Sequence, residues 1–126
     1  MLIFLKLTDQ HIYAFSGGDS VMPLMGNVLG GANIFMKRHV FEALHGFTTY
    51  KGVGFEDYEF LVKAKLAGFQ HTVVPDPILY VRNTEGSMMK RDDHFNGDLR
   101  VLSNYMDKPE FKDFDNLFLL AKGREK

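Results

Sequence analysis

The sequence predicts an α/β fold, a small mixed sheet with flanking helices, as a single domain over residues 1–126. Three observations predict it. Four stretches repeat apolar residues at helical spacing, short β-rich runs lie between them, and 45% hydrophobic residues, with 12 Phe and 5 Tyr, supply the apolar surface for a core. The formal net charge of -1, from 15 basic and 16 acidic residues spread along the chain, leaves no electrostatic footprint for nucleic acid or an anionic membrane. With no cysteine there are no disulfides or thiolate metal sites, which suits a reducing, cytoplasmic setting, at most membrane-peripheral.

Taken in order, the apolar start at 1–5 is interrupted by Lys6 and is too short for a signal-peptide core or a membrane span, so it reads as a strand. Runs 2–7 and 11–15 form a hairpin or two edge strands. Gly17-Gly18-Asp19-Ser20 is a turn, and Met22 to Gly26 follows neither period, as a loop over the core would. Asn27 to Met36 is a small-residue run flowing into an apolar strand, its glycines permitting close backbone approach. A helix over 39–45 places Val40, Phe41 and Leu44 on one side, with Gly46 at the left-handed position after it. A second helix over 56–67 buries Tyr58, Leu61, Val62 and Leu66 and ends at Gly68. Strands at 69–74 and 78–82 flank Pro75-Asp76-Pro77, and helices at 90–107 and 110–122 close the chain around Pro109.

The chemistry concentrates in Gly52-Val53-Gly54-Phe55-Glu56-Asp57-Tyr58, two adjacent acids between a glycine loop and a helix. A helix N-terminus favours an ionised carboxylate by about 0.3–1 kcal/mol, which makes Glu56 and Asp57 candidate proton acceptors. Acids in a first turn are also ordinary helix-start chemistry. Other chemistries fit less well. The five histidines show no metal-ligand spacing, Ser20 and Ser87 lie in no nucleophile-elbow pattern, and neither phosphate-binding glycine fingerprint is present. A hydrolase using the acid pair would need carboxyls on opposite sides of the bond, which adjacent residues on one helix do not supply.

Read together, Leu29-Gly30-Gly31-Ala32-Asn33-Ile34-Phe35-Met36-Lys37-Arg38, Leu44-His45-Gly46-Phe47 and Gly52 to Phe60 resemble the C-terminal catalytic block of GT-A-fold glycosyltransferases. The likeness is to the galactosyltransferase-type segment and, more broadly, to the family-2 inverting enzymes. It continues through Lys65 to Phe69, Val74 to Arg82 and Glu85-Gly86-Ser87, and covers about residues 27–89. The resemblance implies the C-terminal, acceptor-side half of a GT-A (nucleotide-diphospho-sugar transferase) fold that transfers a sugar from a nucleotide-sugar, expected to be a UDP-sugar, to a glycan hydroxyl with inversion.

Under that resemblance Asp57 is the general base and Glu56 orients the acceptor. Gly54, Phe55, Tyr58, Gly31 and Asn33 line the acceptor site, Arg82 contacts the donor diphosphate, and the metal-ligating position falls on Asn83 or Thr84. The implied cofactor is Mn²⁺ or Mg²⁺. The sequence departs from the family in three ways. It holds no nucleotide-binding half with an Asp-x-Asp ahead of this block, a neutral oxygen replaces the family's histidine, and Val53 replaces a sugar-stacking Trp, with Phe55, Tyr50 or Tyr58 as aromatic substitutes. The expected protein is thus a partial transferase domain, completed by a second copy or a complementing chain. The alternative is a non-catalytic carbohydrate-binding or assembly module.

Overall fold

The computed structural model describes residues 3–7, 10–20, 22–49, 54–74, 76, 80, 84–87, 93–106 and 108–109. Strands β1 (Ile3–Leu7) and β2 (Gln10–Ala14) pair antiparallel, with Ile3 opposite Ala14 and Leu7 opposite Gln10. A short 3-10 turn, Met22–Met25, begins where the Asp19 carboxylate accepts the Met22 N–H at 3.2 Å, and it drops Pro23 and Leu24 into the interior. Three helices follow: α1 (Arg38–Ala43), α2 (Glu56–Leu66) and α3 (His94–Met106).

The core forms where α2 meets α3. Tyr58, Leu61 and Val62 of α2 pack with Val101, Leu102 and Tyr105 of α3, and Leu24, Val28 and Leu29 close the cluster from the irregular chain before α1. Burying each of these large apolar side chains contributes about 1.5–3 kcal/mol, which makes this interlock the main source of stability in the described residues. Two local devices bring the 27–30 segment onto the helices. The Asn27 side chain accepts the Leu29 and Gly30 N–H groups and donates to the Gly30 carbonyl at 2.8 Å, folding the chain back on itself. A Cβ on Gly30 would stand 3.2 Å from Leu61 Cδ1, so the missing side chain lets this backbone rest on α2.

Helices α1 and α2 stop in the same way. Phe69 N–H bonds the Ala64 carbonyl and Gly68 N–H bonds that of Lys65, with Gly68 left-handed at φ 83. At α1 the Gly46 N–H bonds Phe41 O and the His45 N–H bonds Glu42 O, the same pair of closing bonds. Here two consecutive residues are left-handed, Gly46 at φ 72, as expected, and His45 before it at φ 60.

The α/β expectation is overturned: among the described residues the core is built by two helices with the 24–29 segment, and no mixed sheet forms. The antiparallel N-terminal pair is not a mixed sheet, residues 27–36 run as irregular chain, and Phe69 to Val74 form no strand. The physical reason is that β-propensity becomes structure only when a partner strand takes up the backbone bonds, and no ladder reaches these segments. Without the mixed sheet, the C-terminal half of a GT-A fold is not the architecture of this chain. Helix α1 is shorter than expected and buries none of its residues, with Phe41 39% exposed. The expected strand at 78–82 falls mostly outside the described residues, and so do the start of the helix at 90–107 and the helix at 110–122.

Candidate functional site

The acid pair sits on a backbone turn that most residues avoid. Gly54 (φ 70) and Phe55 (φ 62) are both left-handed, and Phe55 is the N-cap of α2 with no side-chain cap bond. A left-handed conformation costs a residue with a Cβ about 1–2 kcal/mol, so the surroundings must hold Phe55 there. Its ring packs 4.9 Å from that of His94 and 6.1 Å edge-on to Tyr58, while Arg100 Nη2 donates to the Gly54 carbonyl at 2.5 Å.

The best-anchored carboxylate of the site is Glu59, which is 5% exposed. Its Oε2 accepts from Arg100 Nε at 2.7 Å and from the Thr48 hydroxyl at 2.6 Å. Its Oε1 lies 3.3 Å from the Asn104 amide donor and 3.7 Å from Lys63 Nζ. A buried charge persists only when paired and hydrogen-bonded on this scale, so Glu59 is committed to joining α2, α3 and the loop after α1. Reasoning from sequence passed over it. The available signal was an acid inside the apolar run Tyr58 to Val62, where nothing solvated belongs.

Asp57, two residues earlier, is treated differently. It is half-buried, and its Oδ1 accepts the Tyr58 N–H at 2.8 Å, which helps start the helix. Burial raises its pKa above the ordinary carboxylate value, the bond from Tyr58 N–H opposes this, and the charge of Glu56 adds to the rise. A carboxylate whose pKa moves toward neutrality accepts a proton more readily, which is what a general base requires. Glu56, also half-buried, stands beside it in the first turn.

The structure brings together Gly54, Phe55, Glu56, Asp57 and Tyr58 and adds Glu59, Arg100, Thr48 and His94. Tyr58 requires a correction. It is 4% exposed and its hydroxyl donates to the Pro23 carbonyl, so its ring belongs to the core and offers no face to a sugar. Phe55, half-buried at the turn, is the aromatic left for that task. Gly31 lies beside Phe15 and Asn33, with Asn33 exposed. Thr84 is exposed as well. Tyr50, Gly52, Val53, Arg82 and Asn83 lie outside the described residues.

Among the described residues no three His, Asp or Glu side chains come together to hold a metal ion. No helix among them is long and apolar enough to cross a membrane. Comparison with protein-family models, with curated proteins and with solved structures found no match.

Proposed function

We propose that this chain carries the acceptor side of a glycosyl-transfer site. Asp57 takes the proton from an acceptor hydroxyl as that oxygen attacks the anomeric carbon of a nucleotide-sugar, inverting its configuration. Glu56 orients the acceptor by hydrogen bonds to neighbouring hydroxyls, and Phe55 offers it an apolar wall. One observation supports the reading beyond the motif resemblance: of two nearby acids on α2, Glu59 is spent on Arg100, while Asp57 sits at a strained turn where burial raises its pKa. No Asp-x-Asp precedes the acid pair in this sequence, and donor binding is assigned to a complementing chain or a second copy. The absence of cysteine suits a cytoplasmic, membrane-peripheral setting.

The test is a transfer assay with UDP-sugars, Mn²⁺ and glycan acceptors, paired with calorimetric titration of the same ligands. Asp57→Asn keeps the shape and the acceptor oxygen, and should reduce transfer by about 10²–10⁴-fold while the protein stays folded. Unchanged transfer in that variant, or its unfolding, would overturn the assignment. A second reading, a carbohydrate-binding or assembly module without catalysis, is favoured by the lack of an Asp-x-Asp ahead of the acid pair. Glycan binding with no product, unaffected by Asp57→Asn, would establish it.

A further inference from the structure

Arg100 lies on α3, 41 residues along the chain from Glu59 and 46 from Gly54, yet its guanidinium reaches both. Nε meets Glu59 Oε2 at 2.7 Å, and Nη2 meets the Gly54 carbonyl at 2.5 Å. These two contacts bracket Asp57 in sequence, one at the left-handed turn that precedes it and one at Glu59, two residues after it in the same first turn of the helix. A planar guanidinium holds two acceptors at a fixed mutual angle, which a lysine ammonium cannot do. The Thr48 hydroxyl, at 2.6 Å from the same Glu59 oxygen, ties the loop after α1 to the clamp.

From this geometry we infer that Arg100 is a positioning residue for Asp57: its forked contact to Glu59 and the Gly54 carbonyl holds the Gly54-Phe55 turn left-handed and fixes where the Asp57 carboxyl stands. Two consecutive left-handed residues, one of them a phenylalanine, relax toward ordinary backbone angles unless contacts hold them. Of the contacts described, the bond to Gly54 O acts directly on the turn's backbone. The catalytic consequence rests on the reading of Asp57 as base, but the positional one does not.

The test is Arg100→Lys, which keeps a cation opposite buried Glu59 and removes the fork. Thermal melts followed by circular dichroism check that it folds; should it not, the double variant Arg100→Gln/Glu59→Gln removes both charges and the fork together. Two readouts separate the claims. A ¹³C NMR titration of the Asp57 carboxyl, run on wild type and variant, reports the surroundings of Asp57 whether or not transfer is detected. Its midpoint should fall toward the ordinary carboxylate value in the variant as the turn opens to water. In the transfer assay kcat should drop about 10–100-fold, the scale of a misplacement near 1 Å, with KM for the donor unchanged. A folded variant with the wild-type Asp57 titration overturns the inference. A shifted titration in a protein that transfers no sugar leaves Arg100 as the holder of the turn and removes the transferase reading instead.

Discussion

Helix α2 buries six of its eleven residues, whereas α1 buries none of its six. Both carry an acid and a base four residues apart, both end in the same pair of closing bonds, and both contribute to one aromatic cluster. In that cluster Phe60 of α2 lies 6.0 Å from Phe41 of α1 and 4.9 Å from Phe47. The comparison teaches that identical local chemistry has a value set by what surrounds it. Contacts on α2 are desolvated and consequential, whereas those on α1 are shared with water.

The cluster itself gives the largest test. Phe60, 2% exposed, should cost about 3–5 kcal/mol when changed to Ala, while Phe41→Ala, at 39% exposed, should cost about 1 kcal/mol, both read by urea denaturation. Equal losses would mean that α1 is as firmly docked as α2. The ion pairs come next. Glu59→Ala removes the carboxylate paired with Arg100 and should destabilise by about 3 kcal/mol, whereas Glu42→Ala breaks a 3.9 Å pair whose side chains are 89% and 64% exposed. That second change should be worth about 0–1 kcal/mol, and added salt should erase it.

A smaller effect separates the two helix ends. Gly68 takes the left-handed position after α2 without strain, while after α1 His45 is left-handed as well as Gly46. His45→Gly should therefore raise stability by about 1 kcal/mol in thermal melts, and no gain would show that α1 frays without cost. The smallest effect concerns Asp57. Because the fold raises its pKa above 3.8, the fold favours the protonated form. That contribution is complete below 3.8 and is lost as pH rises through the folded value. Wild type should lose stability relative to Asp57→Asn across that rise, in denaturation curves taken from pH 3.5 to pH 7. Parallel pH profiles would place the carboxyl in open water.

These same features show what the amino-acid order makes legible. The buried side of α2 follows from spacing alone: Tyr58, Leu61 and Val62 enter the core and Leu66 packs against it, as the 3.6-residue period requires. Gly30 and Gly68 were legible because each does something only a glycine does well at that place. Glu59 was not, because its partner Arg100 arrives from a helix 41 residues away and no local pattern announces it. The left-handed Phe55 was hidden for the same reason, since the groups around its turn, Arg100 on the Gly54 carbonyl and the His94 ring, come from α3. The mixed sheet failed because Phe69 to Val74 carry strand-favouring side chains without neighbouring strands to complete their backbone bonds. As for the acid pair, its location at a helix start was visible, whereas the division of labour between Asp57 and Glu59 needed three dimensions.

The packing of Tyr58 against Tyr105 has an optical consequence. The protein contains no tryptophan, so its near-ultraviolet absorbance and intrinsic fluorescence come mainly from 5 tyrosines. Tyr58 and Tyr105 are 4% and 1% exposed, and burial pushes both phenols well above the ordinary tyrosine value. Their phenolate bands should therefore develop above the ordinary tyrosine range, and the late part of alkaline difference spectra gives an unlabelled signal from the α2–α3 interlock.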